Sequence, residues 1–237
     1  SYIVEEGLNR MYGERDDNVY YYLTVYNEAI PQPPEPEVEG LREGIIRGLY
    51  RYQAADLEQG DDRPRAQLLA SGTGIHWALK AQTLLAEDWG VAADVWSATS
   101  WNELRRDAME VDEWNMVHPD DEQRVPYVTQ CLEPAPGPVI AVSDWMKAVP
   151  DAIAPWVPQG LRSLGTDGFG RSDTRPALRR FFQVDAEWTV LAALTELARR
   201  GEVKHEVLAE AIARYGLTEE ITVEFAADEA SANEPGA

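Results

Sequence analysis

Short apolar runs alternate along most of the chain with longer segments whose apolar residues recur at helical spacing. Four runs rich in Ala, Val, Leu and Ile predict buried strands, at 66–71, 91–97, 139–142 and 161–164. Five segments with apolar residues three and four positions apart predict helices, at 75–89, 101–111, 176–182, 187–200 and 203–215. This alternation predicts an α/β fold with βαβ units and a mostly parallel central sheet covered by helices on both faces.

The first forty residues show a different pattern. Apolar residues at near-helical spacing predict a helix that stops at Gly13, and the aromatic and β-branched run 19–25 predicts a strand. Four prolines within 30–36 favour an extended connection, so we predict a linker at 29–40. It would separate residues 1–28 from a main domain at 41–225, which opens at 41–52 with either a short helix or a helix followed by a strand. The polar, acidic tail at 226–237 is expected to be disordered.

The loop at 164–175 carries the densest set of candidate functional residues. Three glycines within six positions allow a tight turn, and Asp167, Arg171 and Asp173 stand among and just after them. The loop follows a predicted strand, and ligands gather where strands of a parallel sheet end. A tight loop closed by internal salt bridges would show the same residues, so both interpretations stay open.

A few residues outside this loop are weaker candidates. His118 lies in a segment bounded by Pro119 and is kept as a site candidate, although none of the three histidines has a second His or a Cys at metal-ligand spacing. Asn27 and Glu28 close the predicted strand at 19–25, where they could touch a ligand or simply cap a turn. The segment 71–74 could bind an anion at a helix N-terminus, but a tight turn between strand and helix is favoured because the third glycine of a dinucleotide motif is missing.

Composition and charge narrow the class of partners. The 237 residues hold 21 Lys and Arg against 42 Asp and Glu, so the formal net charge is −21. This balance argues against nucleic acid and against an anionic membrane as partners. A single cysteine excludes an intrachain disulfide and suits a cytoplasmic protein. Because the chain starts at Ser1 within a predicted helix, we expect it to be a segment of a longer polypeptide.

Several sequence blocks, taken in order, resemble one enzyme family. The blocks are Glu6-Gly-Leu-Asn-Arg-Met-Tyr-Gly13, Val19-Tyr-Tyr-Tyr-Leu-Thr-Val25 with Asn27-Glu28, Gln67-Leu-Leu-Ala-Ser-Gly72, Asp94-Val-Trp-Ser-Ala-Thr-Ser100, Trp114-Asn-Met-Val-His-Pro119, Val125-Pro-Tyr127, Ser143-Asp-Trp-Met146 and Leu164-Gly-Thr-Asp-Gly-Phe-Gly-Arg-Ser-Asp173. They resemble the carboxyl-terminal quarter of homodimeric bacterial pyruvate dehydrogenase, the thiamine-diphosphate-dependent first component of the pyruvate dehydrogenase complex. The proline-rich linker and acidic tail look most like those of actinobacterial members.

The resemblance implies a transketolase-like carboxyl-terminal domain, preceded by the last helix and strand of a middle, pyrimidine-binding domain. Thiamine diphosphate and Mg²⁺ would be bound by residues upstream of this segment, so the segment alone is expected to be inactive. Some family members carry an active-site histidine where this chain has Glu5, which leaves the role of Glu5 open. The segment from Asp167 to Asp173 would border the active site and help close it, with Arg171 facing an anion.

Two functions of different classes follow from the resemblance. In the first, the chain forms part of an enzyme that decarboxylates pyruvate and acetylates the lipoyl group of a dihydrolipoyl acyltransferase. In the second, it serves mainly to dimerise the enzyme and to dock the acyltransferase, for which an acidic surface would suit a basic partner. The equivalent part of a 2-oxoglutarate dehydrogenase is a further alternative with the same architecture.

Overall fold

A five-stranded sheet forms the centre of the protein in a computed structural model that describes residues 1–14, 17–27 and 29–217. Its strands are β1 (Leu49–Gln53), β2 (Arg65–Ala70), β3 (Ala92–Ala98), β4 (Val139–Val142) and β5 (Leu161–Leu164). They stand in the order β1-β3-β2-β4-β5. Strands β2 to β5 run parallel, and β1 pairs with β3 in the antiparallel direction at one edge.

Nine α-helices lie before, between and after these strands in the described ranges. They are α1 (Tyr2–Tyr12), α2 (Leu41–Arg47), α3 (Gly74–Trp89), α4 (Trp101–Val117), α5 (Tyr127–Leu132), α6 (Ala148–Asp151), α7 (Arg175–Phe181), α8 (Ala186–Arg199) and α9 (Glu206–Tyr215). Ser100 caps α4 by accepting a hydrogen bond from the Glu103 amide, and Asp185 caps α8 in the same way through the Trp188 amide.

The core is divided between the two faces of the sheet. Successive residues of a strand point to opposite faces, so Leu68 packs towards α3 and α8 whereas Leu69 packs towards α4 and α5. Ile140 and Ala141 of β4 divide in the same way. Both faces are apolar because helices cover both, which explains why the strands read as continuous apolar runs.

The structure confirms the predicted α/β architecture. Each of the four predicted strands of the main domain is present within two residues of its expected bounds. The helices predicted from residues 75 and 101 lie between these strands, and the other three predicted helices follow β5, as expected. The segment 41–52 forms α2 followed by β1. The antiparallel direction of β1 was not predicted, because a strand sequence does not encode the direction of its partner.

Two predictions about local structure were wrong. The run 19–25 forms no strand, since it pairs with no strand in the described part of the chain and several of its side chains are exposed. Strand propensity reports how well a side chain fits a paired, half-buried surface, and here that surface is missing. Helix α4 also runs to Val117 rather than 111, so Trp114 lies in a helix and not in a loop.

The proposed domain boundary stays a prediction. Residues 29–40 form no helix or strand, as expected of a linker. The tail at 226–237 lies outside the described residues. Within the ranges described, no helix combines the length and the apolarity needed to cross a bilayer.

Candidate functional site at the carboxyl edge of the sheet

Polar residues follow β2, β3 and β4 at the carboxyl edge of the sheet. Ser71 comes directly after β2 and Ser143 directly after β4, and the two strands are neighbours. The Ser71 and Ser143 hydroxyls are 2.9 Å apart and buried, so they hydrogen-bond across the edge. The same Ser143 hydroxyl accepts a hydrogen bond from the Trp145 amide at 3.1 Å, which fixes the backbone turn after β4.

The Asp144 carboxylate joins three segments at this edge. Its Oδ2 accepts hydrogen bonds from the Thr73 hydroxyl at 3.0 Å and from the Tyr26 hydroxyl at 3.1 Å. Burial, followed by the negative charge of Asp144, raises the pKa of Tyr26. Tyr26 must be protonated to donate, so this link stabilises the fold below the ordinary phenol pKa of about 10 and is lost as the pH rises through the raised value.

A cavity of about 640 Å³ lies between this edge and the segment that precedes α2. Aromatic rings form much of its wall, among them Tyr26, Tyr50, Tyr52, Trp101 and Trp145, and hydroxyl groups from the ends of β2 and β3 complete it. Among the described residues, its lining includes one carboxylate, Glu35, and no Lys or Arg. The cavity therefore suits groups that stack and accept or donate hydrogen bonds, rather than a strongly anionic ligand.

The turn at 71–74 behaves as a tight connection, which is the interpretation that the sequence favoured. The amides of Gly74, Ile75 and His76 bond to the carbonyls of Ser71, Gly72 and Thr73 within the turn, at 3.0 to 3.4 Å. Gly72 has φ +54°, and a Cβ built there would lie 2.4 Å from the Tyr26 hydroxyl. Glycine thus permits the close approach of Tyr26, while the first amides of α3 are already used.

The loop after β5 places its candidate residues against different neighbours. Asp167 accepts a hydrogen bond from the Lys147 amide at 3.0 Å and pairs with the Lys147 ammonium at 3.7 Å. The Arg171 guanidinium lies 4.2 Å from the Phe181 ring centroid, and Asp173 accepts from the adjacent Thr174 amide at 2.6 Å. Phe169, between two glycines of this loop, is 97% exposed.

Of the remaining candidates that the structure describes, Asn27 lies close to this loop, whereas Glu5 and His118 lie elsewhere. Asn27 accepts a hydrogen bond from Arg175 at 3.2 Å, which brings the end of the N-terminal segment to the start of α7. Glu5 pairs with Arg42 at 3.0 Å on α1 and α2. Glu28 lies outside the described residues.

His118 is not brought together with the other candidates. It ends α4, which starts at the carboxyl edge and extends for about 25 Å towards the opposite edge. There the His118 ring stacks on Trp114 with 4.3 Å between centroids, and its Nδ1 lies 2.8 Å from the Trp114 carbonyl. These contacts explain His118 as the residue that ends a helix.

Sequence reasoning missed Asp144, Thr73 and Tyr26 as members of the site. Asp144 was quoted as part of a sequence block but was not singled out. The sequence feature that could have indicated Asp144 is its position directly after an apolar run. Its proximity to Thr73, however, follows only once β2 and β4 are known to be neighbouring strands. That adjacency skips β3 in chain order, so sequence order alone does not reveal it.

The described residues do not fit the cofactor that the resemblance implies. Across 1–14, 17–27 and 29–217, no three His, Cys, Asp or Glu side chains stand close enough together to hold a metal ion. Mg²⁺ requires oxygen ligands in a near-octahedral set, and a diphosphate requires cations or free amides. Among the described residues, the lining of the cavity at the carboxyl edge has a single carboxylate and no Lys or Arg, so no chemical step is assigned to such a group here.

Comparison with known proteins identifies the class of domain. Residues 48–185 match the family described as the transketolase-like TK C-terminal domain, and the chain belongs to this family. The chain is 54% identical over 215 residues to the pyruvate dehydrogenase E1 component of Mycobacterium tuberculosis, which covers 91% of this chain and 23% of that protein. It is 45% identical to the protein of the same name from Escherichia coli K12, with 91% and 23% covered.

The chain therefore spans about a quarter of the length of the curated relatives that it matches. Among solved structures, a transketolase from Leishmania mexicana aligns with a TM-score of 0.43 at 21% identity, over 67% of this chain and 19% of that one.

The link between Tyr26 and Asp144 can be tested with a matched pair of variants. Tyr26→Phe removes only the hydroxyl that Asp144 accepts, whereas Tyr20→Phe removes a hydroxyl from a side chain that is 87% exposed. Loss of one hydrogen bond to a charged group should loosen the segment by about 1 kcal/mol, or roughly fivefold in local opening. Chymotrypsin should therefore cleave within 20–27 several times faster in Tyr26→Phe than in Tyr20→Phe. Equal rates would contradict the link.

Proposed function

We propose that this chain is the carboxyl-terminal portion of a pyruvate dehydrogenase E1 component. The observation that supports this most strongly is 54% identity to a protein of that name over 91% of the chain. Such an enzyme decarboxylates pyruvate oxidatively and passes the acetyl group to the lipoyl group of a dihydrolipoyl acyltransferase. In this proposal the chain contributes loops that border the active site and surfaces for assembly.

A domain organisation belongs to the same proposal. Residues 1–28 would end the pyrimidine-binding domain of the longer polypeptide, 29–40 would form a linker, and a transketolase-like carboxyl-terminal domain would occupy 41–225. The exposed run 19–25, which has strand propensity but no strand partner in the described residues, is what a terminal strand of another domain would look like. The family match at residues 48–185 lies within the proposed main domain at 41–225.

Thiamine diphosphate and Mg²⁺ would then be held by upstream residues of the longer polypeptide. When bound, thiamine diphosphate supplies the carbanion stabilisation that decarboxylation of a 2-oxo acid needs. The described residues would act by other means: they would shape the approach to the site and exclude water from it. Homodimerisation, cytoplasmic location and contact with the acyltransferase belong to the same proposal.

The loop after β5 would help to close the site. Its glycines permit a change of backbone conformation, as Gly168 already has φ +81° with no atom near its missing side chain. Arg171 would face an anionic substrate or intermediate once the loop moves, although it now contacts Phe181. Asn27 accepts a hydrogen bond from Arg175, which lies at the end of this loop. The N-terminal segment would therefore move together with the loop.

An Arg171→Ala variant of the longer enzyme tests this role. We expect turnover to fall by roughly tenfold or more, because a charge-assisted contact to an anion is lost. The melting temperature should stay within about 2 °C, since the residue is exposed. Lys204→Ala, which removes a cation from an exposed position before α9, is the control. Unchanged turnover in Arg171→Ala would remove the role.

The proposed activity itself is tested by substrate choice. The longer polypeptide, supplied with thiamine diphosphate and Mg²⁺, should reduce an artificial electron acceptor when pyruvate is added. Equal or faster reaction with 2-oxoglutarate would favour the alternative, the equivalent part of a 2-oxoglutarate dehydrogenase. No reaction with either acid would contradict the proposal.

A further inference from the structure

The cavity at the carboxyl edge lies where parallel sheets commonly bind their ligands. Strand β2 lies between β3 and β4, and α3, which follows β2, packs on one face of the sheet, whereas α4 and α5, which follow β3, pack on the other. The chain therefore leaves neighbouring strands towards opposite faces, which opens a crevice between the strand ends. Residues that follow β2, β3 and β4, namely Ser71, Thr99 and Trp145, line the cavity.

One wall of the cavity is a segment of irregular structure that is fastened to the rest of the fold. Residues within 22–36 form this wall. The Tyr26 hydroxyl donates to Asp144 at 3.1 Å, and the Pro34 carbonyl accepts from the Tyr52 hydroxyl at 2.9 Å. The cavity is thus already formed, and a ligand would lose little affinity to the ordering of this segment.

A buried hydrogen-bond donor in the lining of the cavity has no partner. Trp101 lines the cavity and is 4% exposed, and its indole Nε1 forms no hydrogen bond within the described residues. Buried donors are nearly always bonded to protein, water or ligand, because leaving one unbonded costs free energy. The indoles of Trp77 and Trp188 also lack a partner in the described part of the chain, but neither residue lines the cavity. Trp101 therefore combines an unbonded donor with a place beside a cavity of ligand size.

The lining hydroxyl groups that follow β3 are partly used by the fold. Thr99 donates to the Ile45 carbonyl at 2.7 Å, and the Ser100 hydroxyl accepts from the Glu103 amide at 3.2 Å. The Thr99 oxygen can still accept a hydrogen bond, and the Ser100 hydroxyl can still donate one. Together with the Trp101 indole, they suit a ligand that carries both acceptors and donors.

The charge of the lining disfavours an ion as the ligand. Among the described lining residues, Glu35 is the one carboxylate, and there is no Lys or Arg. A phosphate group would find no cation and would approach Glu35. A cation would suit the aromatic walls and Glu35, but it would offer no acceptor to the Trp101 indole. An uncharged ring with acceptors on its edge can both stack on the aromatic walls and bond to Trp101.

We propose that this cavity binds an uncharged ligand with a flat heterocyclic ring, of the chemical class of a nucleoside. The ring would lie among the Tyr and Trp side chains of the lining, and one ring acceptor would bond to the Trp101 indole. Sugar hydroxyl groups would meet Thr99, Ser100 and Glu35. The volume of about 640 Å³ is in the usual range for ligands of this kind. The inference goes beyond the proposed reaction and does not rest on it.

Calorimetric titration of the longer polypeptide with adenosine, AMP and choline tests the class of ligand. We expect saturable binding of adenosine. AMP has the same ring with an added phosphate and should bind at least about tenfold more weakly, because the lining offers that phosphate no cation. Choline, a cation without a ring acceptor, should also bind at least about tenfold more weakly. No binding of adenosine, or binding of AMP or choline as tight as that of adenosine, would overturn the proposal.

A matched pair of tryptophan variants tests the use of the Trp101 indole. Trp101→Phe and Trp188→Phe each remove a buried indole Nε1 that has no partner in the described residues, but Trp188 lies outside the cavity lining. Trp101→Phe should weaken adenosine binding by roughly fivefold or more, because a hydrogen bond to the ligand is lost. Trp188→Phe should change it by less than about twofold. Equal effects of the two variants would contradict the assignment of the ring acceptor to Trp101.

A second pair of variants tests the aromatic wall and does not depend on the folding of Trp101→Phe. Tyr50→Leu removes a partly buried ring from the lining and should weaken adenosine binding by roughly fivefold or more, because the base loses a stacking partner. Trp114→Leu removes a partly buried ring near the other end of α4 and should change binding by less than about twofold. Unchanged adenosine binding in Tyr50→Leu would place the nucleoside outside this cavity and refute the proposal.

Discussion

Replacing Gly137 with alanine should destabilise the fold by about 3 kcal/mol or more, because backbone strain and a backbone clash act together. Gly137 precedes β4 with φ +92°, and a Cβ built there would lie 1.9 Å from the Arg65 carbonyl oxygen. Two backbones meet at this point, since the Gln67 amide also bonds to the Pro138 carbonyl at 2.9 Å. An added methyl group would push the start of β4 away from β2, at the centre of the sheet.

Gly160→Ala is the matched control for this variant. Gly160 also has a positive φ, +80°, but no atom lies within 4 Å of its missing Cβ. Its replacement should therefore cost only the strain of the backbone conformation, about 1 kcal/mol. Thermal unfolding should show a decrease in melting temperature of roughly 6–12 °C for Gly137→Ala and a few degrees for Gly160→Ala. Similar decreases in melting temperature for the two variants would contradict a steric clash between the added methyl group and the Arg65 carbonyl.

Replacing Arg65 with methionine should cost about 3–5 kcal/mol, because it leaves a buried carboxylate without its cation. The Asp94 side chain on β3 is 3% exposed and accepts a hydrogen bond from Arg65 Nη2 at 2.8 Å. It also accepts from the Ala55 amide at 2.8 Å. Methionine retains the apolar stem of Arg65 and removes only the charge and the donors.

A rescue variant and an exposed control make the Arg65 result specific. Adding Asp94→Asn to Arg65→Met removes the uncompensated charge and keeps an acceptor for Ala55, so most of the lost stability should return. Arg106→Met breaks two ion pairs on the surface of α4, to Glu103 and Glu110, and should cost less than about 1 kcal/mol. The free energy of unfolding, measured in denaturant, compares all three. A loss in Arg65→Met no larger than that in Arg106→Met would contradict the account.

The elements that could be predicted are those whose signal is local. The run at 139–142 is apolar at every position and the run at 66–71 at four of six, because each faces helices on both sides, so their composition indicates buried strands. Helix α8 was clear for a similar reason, since its buried residues Val190, Leu194 and Leu197 repeat at helical spacing. In each of these elements, the sequence pattern and the tertiary environment agree.

The missed features depend on what lies opposite in space. The residues of 19–25 have strand propensity, yet a strand exists only when another strand pairs with it. Asp144 becomes part of a site only because β4 lies next to β2, which brings Thr73 and Tyr26 to it from residues far away in the chain. His118 was kept as a site candidate because of its segment bounded by Pro119, and in the structure it ends α4, away from the other candidates. These features depend on which strands are neighbours and on the direction in which α4 runs, and local sequence does not show either.

The central claim is that this chain forms part of the border of an active site and surfaces for assembly, and that other residues of a longer polypeptide bind the cofactor. Calorimetric titration of thiamine diphosphate with Mg²⁺ tests it most directly, performed on the 237-residue chain and on the longer polypeptide in parallel. The account predicts saturable binding to the longer polypeptide and no binding to the 237-residue chain. Saturable binding to the 237-residue chain alone would contradict it.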